Sequence, residues 1–196
     1  MAEGPGFYAP RIDAGRVCLD LLATGHPHER LDDVGALAGW ITGVGLVPPG
    51  TGPVRAEAAW PAAFRELRGA VGGLVQACLQ SEGPAAYVRP LAQLNEAARP
   101  APPALRAVLL DDGVLARQLV EPPTCAELLA AVARDALDLL TDPASREALR
   151  RCEGDNCPIV YLDTSRGRRR RWCSSEICGN RERVARHRRR AALART

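Results

Sequence analysis

The stretches Cys152-Glu-Gly-Asp-Asn-Cys157 and Cys173-Ser-Ser-Glu-Ile-Cys178 decide the fold of the C-terminal part of this chain. Each holds two cysteines separated by four residues, and fifteen residues lie between the two pairs. Thiolate is the preferred soft ligand of zinc, and two cysteine pairs brought together by a turn complete a tetrahedral site. The spacing predicts one structural zinc ion on Cys152, Cys157, Cys173 and Cys178; the alternative is four unrelated or disulfide-bonded cysteines.

The residues between the cysteine pairs predict a small zinc finger. Residues 158–163 have β character, residues 164–167 can turn the chain, and residues 168–172 can return as the partner strand. Ser174 or Ser175 can cap a helix that begins near Glu176. This order predicts a treble-clef-like finger followed by a basic C-terminal helix. Because four thiolates leave no open coordination position, the predicted zinc is structural and not catalytic.

Charge divides the chain into two unlike parts. Residues 1–150 hold 13 arginines against 18 acids, a net of −5, whereas residues 151–196 hold 13 arginines against 5 acids, a net of +8. Four thiolates and one divalent zinc together add about −2, which leaves the loaded segment at about +6. Such a split predicts a polyanion-binding module on an acidic body.

Arginines flank the second cysteine pair on both sides and are the candidate nucleic-acid contacts. Arginine can clamp a phosphate with two hydrogen bonds and can read guanine in the major groove. The alternative is a charged face that is merely solvated. The candidate residues are Arg168, Arg169, Arg170, Arg171, Asn180, Arg181, Arg183, Arg186, His187, Arg188, Arg189 and Arg190.

Residues 1–147 are predicted to form a mainly helical domain, and residues 148–196 the zinc finger, so the fold class is α+β. Apolar spacing and Gly/Pro positions predict the following elements. They are a short strand over 16–24, a helix capped by Asp32 or Asp33, a helix over 56–80, a helix over 84–99 with Pro90 as a kink or boundary, a hairpin near 104–120 around Asp111-Asp112-Gly113, and a helix from a capping box at Thr124 and Glu127 to Leu140.

Several classes of function find no support in the sequence. The body has no phosphate-binding loop and no recognisable pair of catalytic carboxylates, so we expect no enzyme. Cys18, Cys78 and Cys125 lie in apolar sequence and are predicted to be free thiols, which favours a reducing compartment. With no signal peptide and no apolar run of about 18 residues, the expected location is the cytoplasm, without membrane contact.

The motif Cys178-Gly179-Asn180-Arg181, after Arg170-Arg171-Trp172-Cys173, resembles the motif that names the CGNR zinc finger. Further residues around it fit the same pattern: Asp163, Ser165, Arg166, Val184, His187, Arg188 and Arg190. The body is similar to the ABATE domain that usually precedes this finger. The matching pieces are residues 19–24, 37–45 and 94–95, the hairpin and the helix over 128–140.

This resemblance implies a bacterial transcription regulator, in some members linked to stress, that binds double-stranded DNA through the finger. The N-terminal domain would then form a homodimer, sense a small-molecule effector, or both. Two alternatives use the same basic charge, namely an RNA-binding module and an adaptor that docks on an acidic protein. A third is a small-molecule-binding protein that uses the helical body.

Residues near the cysteines have supporting roles in this interpretation. Gly179 is predicted to allow a close approach between the helix start and the zinc site, and Trp172 to form the small core of the finger. Asp163 and Ser165 are predicted to orient the turn or the zinc ligands. Asn180 either makes a hydrogen bond within the finger or reaches a base edge.

Overall fold

The structure, a computed structural model, describes residues 14–193, without the side chains of Arg189 and residues 191–193. Helices and two small antiparallel hairpins alternate along it, which confirms the predicted α+β class. No helix in this described range is long and apolar enough to cross a membrane. The elements are α1 (Val17–Ala23), α2 (Val34–Gly43), α3 (Trp60–Gln80), α4 (Ala85–Ala98), β1 (Leu105–Leu109), β2 (Leu115–Leu119), α5 (Cys125–Thr141), α6 (Pro143–Ala148), β3 (Leu149–Arg151), β4 (Val160–Leu162), a π-helical turn (Ser175–Gly179) and α7 (Asn180–Leu193).

The core of the body lies where α3 and α4 pack on α5, with α1 filling the space between α3 and α5. Phe64, Val71, Leu94, Leu128 and Leu139 are fully buried there. These residues recur at helical spacing on their own helices, so each helix turns one apolar stripe inward. The helices predicted over 56–80 and 84–99 are confirmed, although α4 continues through Pro90, so a helix boundary at that residue is wrong.

The predicted strand over residues 16–24 is wrong, because this segment forms α1. The carboxylate of Asp135 on α5 accepts the main-chain N–H of Cys18 at 2.9 Å and forms an ion pair with Arg16 at 2.8 Å. The first N–H groups of a helix have no partner within the helix, so this distant carboxylate stabilises the helical start. Cys18 is buried beside it, whereas Cys78 and Cys125 are half-buried, and all three are free thiols.

Helix α5 begins at the predicted capping box. The Thr124 side chain accepts the N–H of Glu127, and the Glu127 carboxylate accepts the N–H of Thr124 at 2.7 Å. Two otherwise unpaired N–H groups are thereby satisfied. The cap at Asp33 is also confirmed, since its carboxylate accepts the N–H of Ala36 at 2.8 Å.

Replacing Thr124 with alanine is expected to lower the free energy of unfolding by about 1 kcal/mol, the usual cost of losing a cap. Urea unfolding followed by circular dichroism measures this change. Thr141→Ala is the matched control, because that exposed threonine lies at the other end of α5 and its hydroxyl donates to the Leu137 carbonyl at 2.8 Å without capping the helix start. A T124A variant as stable as T141A would show that the capping box contributes nothing to stability.

The predicted hairpin is confirmed, with β1 and β2 antiparallel and Leu105 opposite Leu119, Leu109 opposite Leu115. The turn places Gly113 at a φ of 81°, a backbone conformation that favours glycine. The Asp-Gly turn between two apolar runs therefore predicted this hairpin correctly.

The predicted pairing inside the finger is wrong in one strand. Residues 160–162 form β4 as predicted, but β4 pairs with β3, with Leu149 opposite Leu162 and Arg151 opposite Val160. Residues 168–172 form no strand. The Arg170 N–H donates instead to the Asp163 carboxylate at 3.0 Å, which turns this segment back toward the end of β4.

Strand β4 joins the finger to the body. Tyr161 is fully buried, Val160 and Leu162 are nearly so, and all three belong to the same continuous core as α1 and α5. The Leu162 N–H donates to the Ala14 carbonyl at 2.8 Å, and the Asp163 N–H donates to the Ala148 carbonyl at 2.9 Å. The finger and the body therefore share one hydrophobic core.

Candidate metal centre and nucleic-acid interface

The four predicted zinc ligands come together from four separate places in the finger. Cys152 directly follows β3, Cys157 lies in the loop before β4, Cys173 follows the arginine-rich loop and Cys178 lies in the π-helical turn. Their Sγ atoms all lie within 4.8 Å of one another. Cys152, Cys173 and Cys178 are buried, and Cys157 is half-buried.

The spacing of the sulfur atoms fits one tetrahedral zinc ion. Zinc–thiolate bonds of about 2.3 Å place tetrahedral sulfurs about 3.8 Å apart. The Sγ atom of Cys173 lies 3.7 Å from that of Cys157 and 3.6 Å from that of Cys178. A disulfide would need about 2.05 Å, and all four cysteines are free thiols. The cluster can therefore hold one zinc ion with four thiolates.

The surroundings of the thiols favour charge at one sulfur and oppose it at others. The Cys152 sulfur accepts the main-chain N–H groups of Cys173 at 3.3 Å and Gly154 at 3.4 Å. Burial opposes its ionisation, but these hydrogen bonds hold the pKa of Cys152 below its ordinary value. Burial raises the pKa of Cys178 to about 11 and that of Cys173 further. A divalent cation would offset both the burial of these thiolates and the repulsion between them, so that all four cysteines can bind it in the ionised form.

Gly154 is a part of the centre that the sequence interpretation missed. A Cβ atom at this position would lie 3.1 Å from the Cys178 Cβ and 3.3 Å from its Sγ. Both distances are shorter than an ordinary contact, so only glycine fits without moving a zinc ligand. A glycine two residues after the first cysteine was the available signal. Gly179, the predicted close-approach glycine, has more room, because a Cβ there would meet the Trp172 ring at 3.5 Å.

Replacing Gly154 with alanine is expected to weaken zinc binding by roughly tenfold, a typical cost of disturbing the support of a metal ligand. Competition with a chromophoric chelator measures the affinity. Gly179→Ala is the matched control and should stay within about threefold of the wild type, because its new methyl group makes only ordinary contact. Equal zinc affinity for both variants would contradict the steric argument.

Asp163 organises the loop that carries the first arginines, which supports its predicted role in orienting the turn. Its buried carboxylate accepts the N–H of Ser165 at 2.9 Å and the N–H of Arg170 at 3.0 Å. The hydrogen bonds to Ser165, together with that from Arg170, hold the pKa of Asp163 below its ordinary value. Ser165 extends the arrangement, since its hydroxyl accepts the N–H of Arg169 at 3.2 Å.

The guanidinium of Arg170 is engaged inside the finger. It donates to the main-chain carbonyls of Trp172, at 2.9 Å, and Cys173. It also lies 4.5 Å from the centre of the Tyr161 ring, whose hydroxyl donates to the Arg170 carbonyl. Burial raises the pKa of Tyr161 to about 12. These contacts tie the arginine-rich loop to β4 and to a zinc ligand.

The neighbouring arginines are more exposed. Arg171 pairs with Glu153 at 2.6 Å and lies 5.2 Å from the centre of the Trp172 ring. Arg168 approaches Glu147 at 3.9 Å, and Arg169 is exposed. Trp172, predicted to form the small core of the finger, is half-buried and packs against the core that the finger shares with the body.

The C-terminal helix grows directly out of the metal centre. The Ser174 hydroxyl accepts the N–H of Ile177 at 3.2 Å and caps the π-helical turn that carries Cys178. That turn continues into α7, in which Glu182 is the one acidic residue. The exposed residues of this helix include Asn180, Arg181, Arg183, Arg186, His187, Arg188 and Arg190; the side chain of Arg189 lies outside the described part.

The helical repeat divides the described arginines of α7 between two sides. Arg183, Arg186 and Arg190, at spacings of three and four residues, share one side, which we call the three-arginine face. Arg181 and Arg188, seven residues apart, lie on the opposite side. The Arg183 guanidinium also donates to the Ser175 carbonyl at 3.2 Å, which links this face to the π-helical turn.

Comparison with known protein families gives two matches in sequence order. Residues 15–143 match the ABATE family, described as "Putative stress-induced transcription regulator". Residues 148–191 match the CGNR zinc finger. A search of curated proteins gave no match to this chain. The two matched segments correspond to the helical body and to the finger with its four-cysteine cluster.

Proposed function

We propose that this chain, which belongs to the ABATE family and carries a CGNR zinc finger, is a zinc-dependent DNA-binding regulator of transcription in the bacterial cytoplasm. The observation that carries the proposal is α7, an arginine-covered helix anchored at its first turn to the metal centre. The body would form a homodimer, respond to a small-molecule effector, or both. The proposal includes no catalytic role, because four thiolates close the coordination sphere of zinc.

The dimensions and charge of α7 suit the major groove of double-stranded DNA. The groove is about 12 Å wide and admits one α-helix. The three-arginine face would point into it, since arginine can bind phosphate oxygens or the guanine edge with two hydrogen bonds. Asn180 is exposed at the N-terminal end of α7, and we propose it for contact with a base edge rather than for a hydrogen bond within the finger.

The arginine-rich loop would supply further phosphate contacts. Arg168 and Arg169 are exposed, and they belong to a loop held in shape by Asp163. Arg170, by contrast, is engaged by main-chain carbonyls, so we assign it a structural role and leave it out of the DNA-contacting set. Arg171 shares its charge with Glu153 and would contribute less than its neighbours.

Enrichment of genomic fragments on the zinc-loaded full-length protein tests this proposal. At about 150 mM salt, binding that rests on phosphate contacts alone is suppressed, so a shared sequence motif among the bound fragments is the expected result. Enrichment without a motif, or binding only at low ionic strength, would contradict a sequence-specific regulator. If structured RNA competes for the protein better than duplex DNA does, the protein is an RNA-binding module and not a DNA-binding regulator.

A further inference from the structure

The hairpin of β1 and β2 stands apart from the rest of the fold. Its strands pair only with each other, and in the described range Leu119 of β2 is the half-buried leucine by which the hairpin packs against the core. Nine large hydrophobic residues of the described range are exposed, and six lie between residues 105 and 120. An isolated two-stranded hairpin is marginally stable in water. The concentration of exposed apolar side chains there indicates a surface that a partner covers.

The two faces of the hairpin differ in their surroundings. One face looks onto the loop over 49–55 across a groove of about 690 Å³. The opposite face carries Leu105, Leu109 and Leu115, which we call the leucine face. Their exposures are 50%, 70% and 72%, and residues this apolar rarely remain so accessible together.

Two charged residues lie on either side of the Leu109–Leu115 pair along the hairpin, and one of them, Arg117, also borders the groove. Arg117 lies opposite Ala107, two residues from the Leu109–Leu115 pair toward the base of the hairpin. Asp111 lies two residues beyond Leu109, in the turn. Arg117 is separated from Leu115 by two residues of extended chain, about 7 Å, whereas Asp111 lies on the other side of the pair, where the chain turns. Within the part of the chain that the structure describes, neither charge has an ion-pair partner.

We propose that the leucine face docks on the same face of a second copy of this chain, with the two hairpins antiparallel. A two-fold axis beside the Leu109–Leu115 pair would set each Arg117 against the Asp111 of the other copy. The patch is therefore complementary to itself in both apolar surface and charge, as a two-fold interface requires. This inference rests on the homodimer of the proposed function and assigns the leucine face as its interface, but it does not depend on DNA binding.

The size of the patch sets the expected strength of the dimer. The three leucines of this face present on the order of 400 Å² per copy, so the buried total lies below that of a standard interface and in the range of weak, transient complexes. We expect a dissociation constant of about 10 µM, in the range of weak and reversible complexes.

Sedimentation equilibrium of the zinc-loaded full chain tests the interface, without DNA, from about 1 to 200 µM. The wild type should pass from monomer to dimer, and Leu109→Asp with Leu115→Asp should remain monomeric throughout. Val88→Asp is the matched control, because Val88 on α4 is 69% exposed, and it should dimerise normally. Zinc content and helical circular dichroism should be unchanged in every variant.

A charge exchange tests the antiparallel arrangement itself. Asp111→Arg and Arg117→Asp should each weaken the dimer about tenfold, and the two together should restore it. A wild type that stays monomeric at 200 µM, a dimer that survives the double leucine substitution, or no rescue by the charge exchange would overturn the proposal. Since no DNA is present, each of these outcomes leaves the proposed DNA-binding function to its own test.

Discussion

Replacing Cys178 with serine is expected to abolish stoichiometric zinc binding and to lower the free energy of unfolding of the whole chain by at least about 5 kcal/mol. Structural zinc contributes about 10–16 kcal/mol of apparent binding energy, which is as large as the net stability of an ordinary domain, about 5–15 kcal/mol. A serine hydroxyl is a poor zinc ligand beside three thiolates. Zinc content by atomic emission and thermal unfolding by circular dichroism measure the two effects.

The loss of stability should extend to the body, because the finger and the body share one hydrophobic core. Tyr161 and Leu162 of β4 are buried in the same cluster as α1 and α5, and Leu162 is bonded to the Ala14 carbonyl. Disorder around the metal centre would therefore loosen the packing of the body helices. A variant that loses zinc but whose body unfolds at the wild-type temperature would show that the two parts are independent.

Cys125→Ser provides the control for the thiol change itself. Cys125 is a half-buried free thiol at the start of α5, outside the four-cysteine cluster. Its replacement should keep one zinc ion per chain and cost less than about 1 kcal/mol. If Cys125→Ser and Cys178→Ser lose equal stability, the loss of zinc does not explain the destabilisation.

The sequence predicted those elements correctly that depend on residues close together in the chain. The capping box of Thr124 and Glu127 and the Asp-Gly turn of the hairpin each act within a few residues, and both were predicted correctly. The four cysteines were readable for a related reason, since zinc imposes ligand type and approximate spacing on the sequence.

Contacts between residues that are apart in the sequence account for two of the errors, the strand over 16–24 and the pairing of β4. Residues 16–24 have the apolar composition of a strand, yet Asp135, 117 residues after Cys18, supplies the acceptor that begins α1. The partner of β4 is likewise β3, a short segment of ordinary propensity, because Asp163 draws the arginine-rich loop away from strand geometry. The basic context of Arg170 predicts a DNA contact, and the fold adds that main-chain carbonyls engage its guanidinium, which no local sequence pattern indicates.

Replacing Arg183, Arg186 and Arg190 together with alanine is expected to weaken duplex binding by roughly 100-fold at 150 mM salt. Each neutralised phosphate contributes about 0.9 to the slope of log affinity against log salt. Removing three contacts should therefore make that slope shallower by about 2.7. Fluorescence anisotropy with a labelled duplex, repeated from about 50 to 300 mM salt, measures the affinity and the slope together.

Two further variants separate direct contacts from the general field of the protein. Arg181→Ala with Arg188→Ala removes charge from the opposite side of α7 and should weaken binding far less. Arg55, Arg89 and Arg146 are exposed arginines of the body, and replacing all three removes the same charge far from α7 in the sequence. If this body variant loses as much affinity as the helix variant, binding follows net charge and not the three-arginine face. If neither variant loses affinity, α7 is not the contact surface. Loss confined to the three-arginine face would identify it as the side of α7 that meets the duplex. At 150 mM salt the Debye length of about 8 Å is shorter than the roughly 10 Å between the two sides of one helix, so only charges close to the phosphates contribute strongly.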